Sequence, residues 1–412
     1  MASGRRDLAT CRDDFPALAR AVNGRRLVFL DGPAGTQVPR PVIDAIAGYY
    51  ATCNANTHGQ FVTSRESDAM LEATRDKVAA LLGARSSSEV SFGANMTTLC
   101  FALAHALGRE MAPGDEVVIT QLDHEANRGP WLGLAERGVV VREVALRSDG
   151  RLDADDLRGK VGPRTRVVAM GLASNALGTV NDVGPARELS RSVGARLVLD
   201  AVHYAPHFAL DVAALDPDVL LCSAHKFYGP HVGVLYSRPG LLERLRTDRL
   251  STQEETAPYR IETGTLNHAA IAGVGAAVDY LGSFGAGDGL RARLVDAMGR
   301  IERHERSLAE RYFTAVRRLP GVTVRGPDFS DRHRAPTVSI TVDGRTAEEV
   351  ARFLGERGIA VWDGHFYAAR AIEVLGLAAR GGVVRTGISM YSNADDVDEL
   401  LAALVELTGQ QR

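Results

Sequence analysis

The sequence is poor in the features that mark several large classes of protein. Its 412 residues include only four cysteines, far apart and in no Cys-x-x-Cys or Cys/His spacing, so neither a disulfide framework nor a zinc site is expected. No apolar run approaches the roughly 18 residues of a membrane span, and the N-terminal stretch lacks the apolar core of a signal peptide. The formal net charge of -3 gives no electrostatic footprint for nucleic acid or an anionic membrane. These absences predict a cytoplasmic, enzyme-sized protein with no metal, nucleic-acid or membrane partner.

Lysine is also scarce. It occurs only at Lys77, Lys160 and Lys226, whereas the other 45 of the 48 basic residues are arginine. A chain that uses arginine wherever a positive charge suffices draws attention to its lysines, because a guanidinium cannot act as a nucleophile at neutral pH. Lys77 falls on the polar face of a helical pattern and Lys160 in a turn. Lys226 follows an apolar run and is the candidate of interest.

Short β-branched runs alternate with helical patterns from about residue 25 to 285. This alternation predicts an α/β domain with a mostly parallel sheet covered on both faces. The seven candidate strands are Leu27–Leu30, Glu89–Phe92, Glu116–Thr120, Val139–Glu143, Val167–Gly171, Arg196–Asp200 and Val219–Ser223. We therefore predict a large domain at residues 26–289, a smaller α+β domain at 290–412, and an N-terminal segment, 1–25, that packs with the smaller domain.

An acid and a lysine follow two of these strands. Asp200 ends one apolar run, and Lys226 comes just after another. The carboxyl ends of parallel strands form the ligand-binding edge of such a sheet, so the two side chains are expected to meet there. Pyridoxal 5'-phosphate enzymes need this pair, because the amine binds the cofactor aldehyde as a Schiff base and the acid keeps the pyridine nitrogen protonated. For either residue alone, a surface lysine or a turn aspartate is the simpler interpretation.

Polar residues at other strand ends strengthen the hypothesis. Ser223 and His225 flank the lysine and can donate to a phosphate. The segment 90–97 reads as a strand, a glycine turn and a helix start, whose first N–H groups suit a phosphate. His124 can stack on a planar ring, and Asn175 can reach a phenolic oxygen.

Together these motifs make the chain resemble the class V aminotransferase-like enzymes of fold type I, in the cysteine desulfurase and selenocysteine lyase group. The resemblance rests on Phe29-Leu-Asp-Gly-Pro-Ala-Gly, Asn56-Thr-His58, His124-Glu-Ala-Asn127, Ser174-Asn-Ala-Leu-Gly-Thr179, Asp200, Ser223-Ala-His-Lys-Phe-Tyr-Gly229, Glu262-Thr-Gly-Thr265 and the region of Arg385. It implies a homodimer with sites at the interface, a small amino-acid substrate and pyridoxal 5'-phosphate as cofactor.

The resemblance also implies a role for each matching residue. Lys226 would bind the cofactor and move the Cα proton, with His124 stacked on the ring and assisting. The implied cofactor-binding residues are Asp200 at the pyridine nitrogen, Asn175 and His203 at the phenolic oxygen, Ala94, Asn95, Met96, Ser223 and His225 at the phosphate, and Thr265 at the phosphate of the other subunit. The implied substrate-binding residues are Arg385, which would take the α-carboxylate, together with His58, His365 and Tyr367.

One departure from the family pattern affects the expected reaction. Desulfurases carry a cysteine on a loop of the small domain, and here Tyr367 stands at that place. A phenol cannot accept sulfur as a persulfide, although Cys53 stays open as a substitute. We therefore expect cleavage of a Cβ–S bond by β-elimination from cysteine or an S-substituted cysteine.

Two other reactions of the same family, epimerisation and transamination, remain alternatives because they begin with loss of the same Cα proton. A non-catalytic cofactor-binding protein is disfavoured because the acid, the lysine and Arg385 are all present. A dinucleotide-dependent enzyme is disfavoured because no G-x-G-x-x-G follows the first strand.

Overall fold

A computed structural model describes residues 5–22, 24–330 and 333–409 of the chain. Residues 1–4 of the predicted N-terminal segment and 410–412 of the predicted small domain lie outside the described residues. The strands are β1 (Ala21–Val22), β2 (Arg25–Arg26), β3 (Val28–Phe29), β4 (Val90–Gly93), β5 (Glu116–Thr120), β6 (Val140–Val144), β7 (Thr165–Gly171), β8 (Arg196–Asp200), β9 (Val219–Ser223), β10 (Gly233–Ser237), β11 (Val322–Arg325), β12 (Thr337–Val342), β13 (Ile359–Ala360), β14 (Trp362–Gly364) and β15 (Val383–Gly387).

The helices alternate with the strands of the first two thirds of the chain, as the pattern predicts. They are α1 (Arg40–Thr52), α2 (Val62–Leu82), α3 (Met96–Gly108), α4 (Gly129–Leu132), α5 (Ala154–Lys160), α6 (Gly184–Val193), α7 (Val212–Leu215), α8 (His268–Gly282), α9 (Gly289–Val316), α10 (Ala347–Gly355), α11 (Ala369–Val374) and α12 (Ala394–Leu407). Within the described residues, no helix is long and apolar enough to cross a membrane.

The large sheet has seven strands in the order β4-β10-β9-β8-β7-β5-β6. Six of them run in the same direction, and β10 is antiparallel to both of its neighbours, β4 and β9. Strands such as β5, β9 and β10 are buried along their whole length, which is expected for strands covered by helices on both faces. The predicted fold class, a mostly parallel seven-stranded sheet beside a smaller α+β part, is confirmed.

One predicted strand was placed in the wrong sheet. Residues 27–30 were expected among the strands of the large domain, but Val28 and Phe29 pair in parallel with Ile359 and Ala360 of the C-terminal part. The seventh strand of the large sheet is instead β10, which the pattern did not single out. Val28 and Leu30 are buried, as expected for an apolar strand. An apolar run does not, however, specify which strand it pairs with.

The C-terminal part contains a four-stranded sheet in the order β11-β12-β15-β14, and its neighbouring strands are all antiparallel. Its core is separate from the two apolar clusters that involve the large sheet. Near the N-terminus, Arg12 pairs with Asp396 at 2.6 Å, and the backbone of Arg6 donates to Ser283 at 3.0 Å. The segment therefore contacts both parts of the chain. The domain boundaries at residues 25 and 289 stay a prediction.

Candidate active site

A cavity of about 890 Å³ opens beyond the carboxyl ends of the central strands. It contains twelve of the fifteen residues that the sequence singled out. These are Asn95, Met96, His124, Asn175, Asp200, His203, Ser223, His225, Lys226, His365, Tyr367 and Arg385. They come from both the large sheet and the C-terminal part, so the cavity lies between the two.

The Lys226 amine is buried in this cavity. A single 3-10 turn, Ala224–Lys226, follows β9 and brings the lysine to the sheet edge. Its Nζ donates to the carbonyl oxygens of Pro33 at 2.6 Å and Ala34 at 2.8 Å. Its pKa is lowered to about 7, mainly by burial and in part by the nearby Arg385 guanidinium, whereas Asp200 acts in the opposite direction. A large share of this amine is therefore uncharged at neutral pH.

Asp200 is the last residue of β8 and is also buried. Its Oδ1 accepts a hydrogen bond from the Val202 N–H at 2.8 Å. Burial raises the pKa of this carboxyl to about 6, while the Val202 N–H and Lys226 lower it. A buried carboxylate of this kind is stabilised by any cation that enters the cavity.

The sequence missed a second buried acid, Asp123, which also lines the cavity. Burial raises its pKa to about 7, and Asp200 adds to the rise. Asp123 accepts from the N–H of Gly171 at 2.8 Å and from the side chain of Asn127 at 3.2 Å. Its position directly before His124 was the only signal in the sequence.

His124 is held in one tautomer. Its Nδ1 accepts the Ala126 N–H at 3.0 Å, so the ring proton of the neutral imidazole is on Nε2. Burial lowers its pKa to about 4, with further contributions from Lys226 and Arg385. The ring is therefore neutral at physiological pH. Its centre lies 5.4 Å from that of Tyr367.

The N-terminus of α3 faces the same cavity. Asn95 caps the helix by accepting the Thr98 N–H at 2.9 Å, and the Met96 N–H donates to Ser223 Oγ at 2.9 Å. Gly233 of β10 passes so close that a Cβ there would collide with the backbone of Asn95. The segment from Asn95 to Met96 can therefore settle against the sheet and present a helix N-terminus to an anion.

His225 lies beside this helix start. Its ring stacks on His231, with centres 4.4 Å apart and planes 8° from parallel. Burial lowers its pKa to about 3, and both Lys226 and His231 contribute. Its Nδ1 is buried without a hydrogen-bond partner among the described residues. An incoming ligand can supply that partner.

Arg385 on β15 is 2% exposed. It donates to the carbonyl of Asn175 at 3.2 Å, and the Phe366 ring covers its guanidinium at 4.0 Å. Its buried Nε has no partner within the described part of the chain. Burial lowers its pKa to about 9, which still leaves it charged at neutral pH, and Asp31 opposes the shift. The free donor suits a carboxylate ligand.

Two predicted contacts to a phenolic oxygen have protein partners here. His203 Nε2 lies 3.0 Å from Thr337 Oγ1, and burial takes its pKa well below the usual range. The Asn175 side chain donates to the Phe366 carbonyl at 2.9 Å. Both residues nevertheless line the cavity.

Three predicted residues lie outside the cavity, and their roles stay predictions. Ala94 and Thr265 are exposed. The His58 side chain is 70% exposed, and its backbone N–H donates to Asp68 at 3.1 Å. No cysteine is among the residues that line the cavity, Cys53 included. Within the described ranges, no cluster of His, Cys, Asp and Glu could hold a metal ion.

Comparison with known proteins shows the family to which this chain belongs. The model of the family "Aminotransferase class-V" matches residues 28–400. A cysteine desulfurase of Pectobacterium carotovorum is 35% identical over 95% of this chain and 96% of its own length, and a probable cysteine desulfurase of Streptomyces coelicolor is 36% identical over 97% and 96%. The solved cysteine desulfurase of Thermococcus onnurineus superposes with a TM-score of 0.88 at 28% identity and covers both chains completely. The chain belongs to the class-V aminotransferase family.

Proposed function

We propose that this chain binds pyridoxal 5'-phosphate in the cavity and cleaves the Cβ–S bond of cysteine or an S-substituted cysteine. The names of its relatives support the C–S bond as the target. The observation that carries the proposal is the Lys226 amine, which is buried, has a pKa lowered to about 7, and shares its cavity with Asp200 and Arg385.

The residues present fit this cofactor. Lys226 can bind its aldehyde, and the buried Asp200 carboxylate gains a cationic partner in a protonated pyridine nitrogen. The Asn95–Met96 helix start and the unpartnered Nδ1 of His225 offer donors or acceptors at the other end. Of these groups, only the His225 Nδ1 has no hydrogen-bond partner within the described chain, and each group matches a different part of the cofactor.

When bound, the cofactor ring supplies an electron sink for the pair released at the substrate Cα. The residues of the chain handle the proton and the charges. Arg385 binds the α-carboxylate through its free Nε, because it stays charged at neutral pH. Lys226 takes the Cα proton, since its lowered pKa leaves the amine free to accept one. Neutral His124 presents a flat, uncharged face in the cavity that also holds the charged Arg385.

The cavity lining has no thiol that could accept the sulfur of the substrate. Elsewhere in the chain, burial raises the pKa of Cys11 to about 12 and that of Cys100 well above its usual value. We therefore favour elimination, in which the Cα–H and Cβ–S bonds break and the electron pair of the latter leaves with sulfur. The departing sulfur takes up a proton to give a thiol, and water hydrolyses the released enamine to pyruvate and ammonia, so no oxidant or reductant is needed.

The test is a product analysis with the purified holoenzyme and S-methylcysteine. We expect thiol and pyruvate in equal amounts, and neither product with Lys226→Ala. Cα–H exchange in D2O without either product would instead indicate epimerisation, and accumulation of pyridoxamine 5'-phosphate would indicate transamination. Either result would overturn the elimination.

We also propose a homodimer located in the cytoplasm. The exposed Thr265 lies away from the cavity of its own chain, as expected if it serves the site of the partner subunit. The four cysteines are unpaired, which agrees with a reducing compartment. Light scattering would give twice the mass of one chain.

A further inference from the structure

The cavity has a polar floor and an aromatic mouth. Asp200 and Arg385 on the floor are 8% and 2% exposed. Three aromatic residues that line the same cavity are far more open, namely Phe101 (42%), Trp362 (49%) and Tyr367 (67%). Small-molecule sites are lined mainly by apolar and aromatic side chains, so aromatic residues that line one cavity are candidates for contact with a ligand.

Trp362 stands beside the residue that we assign to the carboxylate. β14 and β15 are antiparallel, and Trp362 lies directly opposite Arg385 in their register. Side chains at opposed positions of an antiparallel pair project from the same face of the sheet. A substrate whose carboxylate lies on Arg385 therefore has the indole of Trp362 as a neighbour.

The loop that follows β14 is held in place by the active site. Phe366 and Tyr367 have φ angles of 52° and 59°, the left-handed region that non-glycine residues rarely occupy. The Glu125 N–H donates to the Tyr367 carbonyl at 2.6 Å, and the Tyr367 N–H donates to His365 Nδ1 at 3.1 Å. Strained backbone that several hydrogen bonds secure is typical of a functional position. These hydrogen bonds fix the conformation of the loop and hold its aromatic side chains at the mouth of the cavity.

The charged residues that line the cavity disfavour a substrate with a second carboxylate. Four carboxylates, Asp123, Glu125, Asp200 and Asp363, line the cavity, whereas its lysine and arginine side chains are Lys226 and Arg385. Glu125 is paired with Arg128 at 3.0 Å, and the proposed function engages Lys226 with the cofactor and Arg385 with the α-carboxylate, so neither cation is left for a second carboxylate. An added carboxylate on the substrate would meet repulsion without a new cation.

With the α-carboxylate on Arg385 and Cα at Lys226, the group on sulfur is the part of the substrate that reaches the mouth. Free cysteine ends at its sulfur and leaves this region empty. At about 890 Å³ the cavity is near the upper end of the roughly 300–1,000 Å³ that is usual for small-molecule sites. This volume has to hold the cofactor as well as the substrate, and the three aromatic side chains line the same space.

Resting on the proposed function, we infer that Phe101, Trp362 and Tyr367 form an S-substituent subsite, which accepts an uncharged aromatic group on the sulfur of a cysteine conjugate. The natural substrate class is thus S-aryl- or S-arylalkyl-cysteines, and free cysteine is a poor substrate. An aromatic substituent gains binding free energy because its apolar area is removed from water and its ring contacts the three aromatic side chains. A methyl group is too small to make these contacts.

The experiment compares S-benzyl-, S-methyl- and S-carboxymethyl-cysteine as substrates of the holoenzyme. We expect kcat/KM for the benzyl substrate to exceed that for the methyl substrate by at least about tenfold, with the carboxymethyl substrate lowest. Equal values for all three, or a preference for carboxymethyl, would overturn the subsite and leave C–S cleavage intact. Absence of thiol from every substrate would reject the proposed function itself.

Substitutions of single aromatic residues test whether the preference for the benzyl substrate arises in the proposed subsite. Trp362→Ala and, on a separate element, Phe101→Ala should each reduce the benzyl-to-methyl ratio of kcat/KM by at least about fivefold, mainly through KM. Tyr50→Ala is the matched control, because Tyr50 is 59% exposed and does not line the cavity. It should leave the ratio unchanged. A ratio that stays at the wild-type value in both cavity variants, or that falls equally in the control, would contradict the subsite.

Discussion

Lys226 and Asp200 influence each other through one cavity. The carboxylate raises the pKa of the amine, and the amine lowers the pKa of the carboxyl. Burial acts more strongly on both, so that the amine titrates near 7 and the acid near 6. It therefore costs free energy to keep either group charged in the absence of a ligand. A cofactor that bonds to the Lys226 amine and carries a proton beside the Asp200 carboxylate would reduce this cost.

The substitution Asp200→Asn should make the apoprotein more stable and the enzyme less active. A folded-state pKa raised from 3.8 to about 6 means that this group favours folding at low pH and that the benefit is lost as pH rises through 6. At pH 8 the variant lacks the buried charge, and its free energy of unfolding should rise by on the order of 1–3 kcal/mol. Denaturant unfolding of the apoprotein measures this, and Asp44→Asn on the exposed face of α1 is the control. A less stable apoprotein would contradict the account.

Cofactor uptake should follow the titration of Lys226. Only the neutral amine attacks an aldehyde, so a pKa of about 7 predicts that the uptake rate rises through pH 7 and levels off near pH 8. An ordinary lysine would instead show a rise that continues toward pH 10.5. Stopped-flow absorbance with the apoprotein gives the profile. Because Arg385 lowers the pKa of Lys226, Arg385→Gln should move the midpoint to higher pH, and an unmoved midpoint would contradict this coupling.

Replacement of Arg385 by lysine should weaken substrate binding while leaving the cofactor bound. A lysine keeps the charge but loses the planar pair of donors, including the free Nε. The expected loss is roughly 10- to 100-fold in kcat/KM, mainly through KM. Arg380→Lys, an exposed position in the same part of the chain, should change neither constant. An unchanged KM in Arg385→Lys would show that the substrate carboxylate binds elsewhere.

The sequence predicted the part of the site that depends on strand ends. Asp200 and Lys226 were expected at one sheet edge because each follows an apolar run, and the parallel β8 and β9 bring those ends together. Strand bounds in the large domain, such as Glu116–Thr120 and Arg196–Asp200, also agree with the pattern. These features are local or depend on neighbouring strands, so periodicity suffices to predict them.

Features that depend on distant pairing were not predictable. β10 runs antiparallel between β4 and β9, and Val28 pairs with Ile359 more than 300 residues away. The carbonyl oxygens of Pro33 and Ala34 that hold Lys226 are backbone groups with no signature of their own, although both residues lie in a family motif. The left-handed turn at Tyr367 likewise depends on hydrogen bonds from other elements.

The most direct test uses the scarcity of lysine. With only Lys77, Lys160 and Lys226 in the chain, borohydride reduction of the holoenzyme followed by peptide mass spectrometry identifies the residue that binds the cofactor. The account predicts a pyridoxyl group on the peptide that contains Lys226 and none on the other two lysines. A label on Lys77 or Lys160, or an unlabelled Lys226, would contradict it.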